Sequence, residues 1–195
     1  MHQRPKNQKR QAGFSMIEVM VSLVILLLGL LGLVGLILVS QRAGTESYQR
    51  SQALLLLQDM VARVSANRRV AACYAITTDI VNGVPYLGKG STLTPACGLG
   101  TTQANTLAAS DLTAWSSLLT GTAESLAGAS LGAMVGARGC VSLDTTTGIY
   151  LVTVAWQGIT STAAPSASVT CGLGLYGNEA LRRVVSLKVP IANLN

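Results

Sequence analysis

Apolar positions along the chain form three patterns: an unbroken run, a helical repeat and a C-terminal alternation of period two. The unbroken run covers residues 19–39, which is 21 residues without a charge. As an α-helix it would be about 31 Å long and would match the hydrocarbon core of a bilayer. It is longer than the apolar part of a secretory signal and lacks a typical cleavage site at its end. We therefore expect a retained membrane anchor.

The helical repeat continues from residue 40 to residue 72 and predicts an amphipathic extension of the same helix. Its apolar stripe contains Leu54, Leu57, Val61 and Val64, widened by Ala53, Leu56 and Met60. The polar positions expected to face away are Gln52, Asp59, Arg63 and Asn67, with Asp59 and Arg63 spaced for an i, i+4 ion pair. We predict one helix from about Phe14 to near Arg69, whose second half buries this stripe under a globular domain.

The middle of the chain has weak periodicity and predicts loops around one short helix. Residues 77–110 and 120–139 are rich in Gly, Ser, Thr and Ala. Between them, Asp111 is the predicted N-cap and Gly121 the stop signal. The predicted apolar face of this helix consists of Leu112, Trp115, Leu118 and Leu119. We interpret Trp115 as a core residue.

The alternation in the C-terminal third predicts antiparallel strands. Residues 140–143 and 149–158 form the arms of a predicted β-hairpin around the turn at 144–148. One face of the second arm carries Tyr150, Val152, Val154 and Trp156. Residues 168–171 are a further candidate strand, and residues 181–191 alternate again. A long helix against a small antiparallel sheet is an α+β fold, with residues 73–195 as its globular domain.

The formal charge of +6 arises largely from the first 13 residues, where Arg4, Lys6, Lys9 and Arg10 occur without an acid. The remainder has ten basic and eight acidic residues, a net charge of +2, which gives little support for nucleic-acid binding. Basic residues beside an apolar segment favour the cytoplasmic side. We expect residues 1–13 to stay in the cytoplasm and the globular domain to be exported.

The four cysteines, Cys73, Cys97, Cys140 and Cys171, all follow the apolar run. An even count in an exported domain predicts two disulfides, with three possible connectivities. We favour Cys73–Cys97 and Cys140–Cys171 because these pairs close short loops; free buried thiols are the alternative. The only histidine is His2, so the sequence predicts no metal site and no cofactor.

A carboxylate, Glu18, lies at the start of the apolar run, where a charge costs several kcal/mol in the hydrocarbon. One explanation is local: Ser15 and Glu18 have the spacing of a capping box, and a negative charge near a helix N-terminus is favourable. A local cap does not explain why Gly13 and Phe14 precede it after a basic leader.

The basic leader, Gly13, Phe14, Glu18 and the apolar run together resemble the type III signal of type IV pilins and pseudopilins. The resemblance implies cleavage by a prepilin peptidase between Gly13 and Phe14, followed by N-methylation of Phe14. Residues 14–39 would remain as a transmembrane and filament-core helix. Glu18 would pair with the N-terminal amine of a neighbouring subunit, an assembly role that is compatible with capping.

The same resemblance implies a type IV pilin-like α+β fold and a minor pilin that catalyses nothing. Beyond the signal it covers residues 111–119, 150–156 and 171–189. The implied partners are other minor pilins, the major pilin, the prepilin peptidase and inner-membrane lipid before assembly. The implied role is priming of pilus assembly, which supports twitching motility, adhesion or DNA uptake, with the protein in the inner membrane and then in the extracellular pilus.

Three alternatives remain open. A pseudopilin of type II secretion shares the same signal, although Asp144 lacks the clustered carboxylates of a calcium site. A membrane-anchored hydrolase would use the Gly-x-Ser-x-Gly pattern at residues 128–132, which needs a histidine base. A DNA-binding module would use Arg182, Arg183 and Lys188, which we interpret instead as a solvated face.

Overall fold

The fold is α+β: a long N-terminal helix packs against a small four-stranded antiparallel sheet. The computed structural model describes residues 13–122, 125–126, 129–130 and 134–191. The main elements are α1 (Met16–Ala66), β1 (Leu87–Gly88), α2 (Thr102–Thr120), β2 (Ser125–Leu126), β3 (Ala129–Ser130), β4 (Arg138–Asp144), β5 (Ile149–Gln157) and β6 (Arg182–Pro190). Within the described residues, Arg68–Tyr74 forms 3-10 turns interrupted by a kink at Val70, and Glu179–Leu181 forms a short 3-10 helix. The expected α+β class is confirmed.

The chain divides into two units, residues 1–44 and residues 45–195. Helix α1 crosses this division, so its apolar part belongs to the first unit and its amphipathic part to the second. Side chains of α1 are buried only from Gln49 onward. The hydrophobic core therefore lies in the second unit.

The sheet has the strand order β1-β4-β5-β6 and is antiparallel throughout. Strands β4 and β5 form the predicted hairpin, with register from Arg138↔Ala155 to Asp144↔Ile149. Strand β6 pairs with β5 along its whole length. The inner face of β5 packs into the main core through Tyr150, Val152, Val154 and Trp156, as the alternation predicted.

The buried stripe of α1 differs from the predicted stripe by a small rotation. It consists of Gln49, Ala53, Leu57, Met60 and Val64. Leu54 lies outside it and is 42% exposed, so its assignment to the core was wrong. The buried positions from 49 to 64 follow one another in steps of three and four residues, which keeps their side chains on one face of the helix. The sequence did not distinguish this face from the predicted one because positions next to the stripe, such as Leu54, are also apolar.

Asn67 was predicted to face away from the domain and is instead buried. Its side-chain amide donates to the hydroxyl of Tyr74 at 3.2 Å and to the carbonyl of Ala104 at 2.9 Å. Burial is tolerated because the polar group is hydrogen-bonded. The predicted pair of Asp59 and Arg63 is present at 2.8 Å.

Helix α2 begins ten residues earlier than predicted. Its N-cap is Thr101, whose hydroxyl accepts from Ala104 N at 3.3 Å. Asp111 is therefore within the helix, where its carboxylate accepts from Arg63 Nη1 at 2.8 Å and from Tyr74 Oη at 2.6 Å. The predicted stop at Gly121 is correct, and this residue has the left-handed φ of 71°.

Two disulfides join Cys73 to Cys97 and Cys140 to Cys171, the pairs that the sequence favoured. The second disulfide holds residues 168–171 over the outer face of the sheet, where Cys140 and Cys171 share a small cluster with Ala155 and Tyr176. Residues 168–171 are not a strand, contrary to the prediction. Their carbonyls are bound by a side chain, since Arg182 Nη1 donates to Val169 O at 2.6 Å.

Candidate functional site

The Gly13–Phe14 peptide bond lies just before helix α1. The helix begins at Met16, and the amides of Glu18 and Val19 donate to Ser15 O at 3.0 and 3.3 Å. Residues 13–15 have no regular secondary structure, and the Phe14 side chain is 83% exposed. The Gly13–Phe14 bond thus lies in an accessible, non-helical segment immediately before a helix.

Glu18 lies in the first turn of α1, four residues after Phe14. Phe14 and Glu18 line one shallow groove together with Val19, Ser22 and Leu23. The hydroxyl of Ser22 donates to the main-chain oxygen of Glu18 at 2.7 Å and not to its carboxylate. Within the described ranges no residue donates a hydrogen bond or contributes an ion pair to that carboxylate. An unpaired carboxylate on an apolar surface is available for a cationic partner from outside the chain.

The apolar surface after Glu18 is exposed around the whole helix. Every large apolar side chain from Val19 to Val39 is at least 46% exposed. In the described part of the chain, α1 is the one helix long and apolar enough to span a membrane, judged by length and composition. A helix that is apolar on all sides and uncovered by its own domain requires lipid or other helices around it.

The basic group at the C-terminus does not form the solvated face that the sequence indicated. Arg182 is 1% exposed, and its Nε is 2.6 Å from Glu179 Oε2. Arg183 Nη2 is 3.1 Å from Glu46 Oε1. Only Lys188 of the three side chains is exposed without an ion pair to a described residue. Two of the three charges proposed for DNA are therefore used inside the fold.

The other candidate chemistries gain no support from the structure. Gly128 and Gly132 of the Gly-x-Ser-x-Gly pattern, together with His2 and the basic leader, lie outside the described residues. Asp144 holds the hairpin turn, since Oδ1 accepts from Thr146 N at 2.9 Å and Oδ2 accepts from Thr147 Oγ1 at 2.7 Å. No group of three or more potential metal ligands occurs among the described His, Cys, Asp and Glu side chains.

A carboxylate that sequence reasoning missed, Glu46, organises the start of the second unit. Its Oε1 accepts from Ile159 N at 3.2 Å, Thr160 N at 3.3 Å, Thr160 Oγ1 at 3.1 Å and Arg183 Nη2 at 3.1 Å. Burial raises the pKa of Glu46, but the bonds from Thr160 and the charge of Arg183 outweigh it and leave the pKa below its usual value. The sequence did contain one indication of this role, because Glu46 is the only acidic residue between Glu18 and Asp59.

Comparison with known proteins gives one finding, and it concerns the N-terminal segment. Residues 8–34 match the family described as the prokaryotic N-terminal methylation motif, and this range includes Gly13, Phe14 and Glu18. No curated protein matches the chain, and no solved structure matches it. The motif supports a type IV pilin-like protein, either pilin or pseudopilin, that is anchored in a membrane by α1.

Proposed function

We propose that the protein is a minor type IV pilin, made as a precursor, cleaved between Gly13 and Phe14 and N-methylated on Phe14. The mature chain would remain in the inner membrane through α1, with residues 45–195 in the periplasm. It would then leave the bilayer by joining a complex of minor pilins that primes pilus assembly. Its activity would be assembly, with no catalytic step.

The observation that carries this proposal is the geometry of the N-terminal segment. The peptide to be cut lies just outside a helix, and the unpaired carboxylate of Glu18 follows Phe14 by four residues. Cleavage there would create a cationic amine on Phe14 without removing any of the apolar helix. One cut therefore generates both a retained anchor and the charge that complements Glu18.

The pairing would operate between subunits. The new amine of one chain and Glu18 of its neighbour each lack a partner in apolar surroundings, and opposite charges attract strongly at low dielectric. Each charge also relieves the desolvation cost of the other. A subunit whose Glu18 has no amine to bind would stay in the membrane. The ion pair would therefore allow a subunit to join only at the correct position along the filament axis.

The proposed partners are the major pilin, other minor pilins and the prepilin peptidase. Among minor pilins, we favour the PilV type, the type IV pilus modification proteins, because residues 111–119, 150–156 and 171–189 resemble them in sequence. Helices gathered in the membrane by such a complex would lower the cost of nucleating a filament. The consequences would be twitching motility, adhesion or DNA uptake.

The second candidate is a minor pseudopilin of a type II secretion system, which the methylation motif fits equally well. The two readings share the N-terminal chemistry and differ in the filament joined. Deleting the gene separates them. Loss of surface pili and twitching with normal protein secretion indicates a pilin, and the reverse phenotype indicates a pseudopilin.

The role of Glu18 is tested by the Glu18→Ala variant, with Glu18→Asp as the control that keeps a carboxylate. We expect both precursors to be cleaved, because the scissile bond is outside the helix. Incorporation of Glu18→Ala into sheared filaments should fall about tenfold or more, as expected for loss of a charge pair at low dielectric. Glu18→Asp should retain part of the incorporation. Normal incorporation of Glu18→Ala would remove this account of Glu18.

A further inference from the structure

Strand β6 is an edge of the sheet that the described part of the chain leaves open. It pairs with β5 over nine residues, and β5 lies between it and β4. Residues 158–162 bind the two residues just before the strand, where Gly158 N donates to Leu181 O at 2.8 Å and Thr162 N donates to Ala180 O at 2.9 Å. From Val184 to Val189 no described segment lies hydrogen-bonded along the other side.

The register identifies the main-chain groups that point outward. Gln157 N donates to Val135 O, on the side of β5 that faces β4. The main-chain groups of successive strand residues point to opposite sides, so those of Gly158 and of every second residue before it along β5 face β6. Val185, Leu187 and Val189 of β6 therefore bond to β5. The amides and carbonyls of Val184, Ser186 and Lys188 point away from the sheet, and no described residue accepts from or donates to them.

The side chains of β6 alternate between the core face and the outer face of the sheet. On the core side of the strand, Val185 is buried in the main core, whereas Leu187 is 44% exposed. On the outer side, Ser186 and Lys188 are exposed. Natural proteins protect open edges with charges, prolines and short strands. Here a single lysine and the terminal Pro190 are present, and six consecutive residues before Pro190 remain available.

We propose that β6 receives an extended segment of a neighbouring filament subunit as a fifth strand. Three outward residues offer alternating donors and acceptors, which is the pattern that a β-strand satisfies. The partner strand would place apolar side chains over Leu187 and an acidic side chain near Lys188. This inference rests on the proposed filament function and adds to it the surface by which the globular unit selects its neighbour.

The charge distribution favours a different subunit over a second copy of this chain. Residues 182–190 contain three basic residues and no acid. Arg182 and Arg183 are already paired with Glu179 and Glu46, so Lys188 is the charge left for a partner. Pairing β6 with its own copy would leave Lys188 without a counter-ion, because the strand carries no acid. A strand that carries an acid would satisfy both the main chain and Lys188.

The test compares Ser186→Pro with Ser186→Ala in the full-length protein expressed in its own cells. Proline removes an outward amide and adds bulk at the edge, while the ladder to β5 is kept because the Ser186 amide does not donate to it. We expect Ser186→Pro to lower incorporation into filaments about tenfold. This is the effect expected when the hydrogen bond from the Ser186 amide to the partner strand is lost and the adjacent bonds are weakened. Ser186→Ala should incorporate within about twofold of the wild type.

A second pair of variants keeps the test decisive if proline disturbs folding, which thermal unfolding of the purified protein would show. Lys188→Glu should reduce incorporation while Lys188→Arg should not, because the partner strand requires a cation opposite its acid. Ser186→Pro and Lys188→Glu proteins that fold and incorporate like the wild type would overturn the proposal. If the wild type itself carries no methylated Phe14 and enters no filament, the proposed function fails first.

Discussion

At the scale of single residues, Glu46 shows how one carboxylate can organise a junction in the chain. A single oxygen accepts four hydrogen bonds from two loop amides, a hydroxyl and a guanidinium. The donors come from residues 159–160 and from β6, so the carboxylate links α1 to two elements distant in sequence. Bonds to an ionised acceptor are stronger than neutral ones. We infer that Glu46 fixes the loop at 158–162 against the helix.

The Glu46→Gln variant tests this role through the pH dependence of stability. Because the folded state lowers the pKa of Glu46 from the ordinary 4.5, its charge stabilises the fold above that pH. At pH 7 we expect the variant to unfold about 2–4 °C lower, which corresponds to about 1 kcal/mol for a partly exposed group. As the pH falls below about 4.5 the wild type should lose this advantage and the two midpoints should converge. A pH-independent difference would contradict a charge-based role.

The same cluster shows why sequence reasoning misread the basic residues near the C-terminus. Arg182 and Arg183 occur in an alternating strand, a pattern that usually exposes charges. Their partners, Glu179 and Glu46, are respectively three and 137 residues away. A local partner can be recognised from spacing, but one contributed by a distant helix requires the folded structure. By contrast Phe14 and Glu18 are only four residues apart, and their pattern was visible directly in the sequence.

At the scale of elements, the packing of α2 on β4 depends on a residue without a side chain. Gly139 faces the Trp115 ring, and Trp115 is itself fully buried with its Nε1 donating to Leu56 O at 2.9 Å. A Cβ at position 139 would overlap the ring and the side chain of Leu119. The glycine thus allows the helix to approach the strand closely.

The Gly139→Ala variant measures this close approach. Overpacking of a core contact costs about 1–3 kcal/mol, so we expect a clear decrease in the free energy of unfolding. Gly98→Ala is the matched control, because a Cβ there meets nothing within 4 Å and should change stability by less than about 0.5 kcal/mol. Denaturant titration of both purified proteins provides the measurement. Equal stability of the two variants would show that α2 can shift to accommodate the methyl group.

Elements with one dominant pattern were predicted from sequence, and elements with competing signals were not. The β4–β5 hairpin followed from its alternation and turn, and α1 from its long apolar and helical repeats. Asp111 had the features of an N-cap, yet the N-cap of α2 is Thr101, and Asp111 instead binds Arg63 and Tyr74. The intervening Ala, Ser and Thr residues are compatible with both helix and loop. Tertiary contacts decide in such segments.

At the scale of the whole molecule, the two units differ in what stabilises them. Residues 45–195 enclose their own core and two disulfides, whereas the apolar helix of the first unit buries none of its large side chains within the described chain. The first unit therefore requires lipid or other helices around it. The second unit carries its own stability and can be tested separately from assembly.

Paired substitution of each disulfide tests the stability of the second unit. The loops closed by Cys73–Cys97 and Cys140–Cys171 span 24 and 31 residues, so loop entropy predicts similar contributions of about 3 kcal/mol each. Replacing either pair with alanine should lower the thermal midpoint by on the order of 10 °C. Reducing agent breaks both disulfides, so it should lower the midpoint of the wild type by about the sum of the two effects and should not change a protein lacking all four cysteines. An unchanged midpoint would show that these bonds are dispensable.

The central claim is that the chain is processed at Gly13–Phe14 and retained through α1. The most direct measurement is the N-terminal residue of the mature protein, determined by mass spectrometry of the membrane fraction. The account predicts a chain that begins with N-methylated Phe14 and keeps Glu18 and the apolar helix. An intact Met1, or a cut beyond Val39, would contradict it.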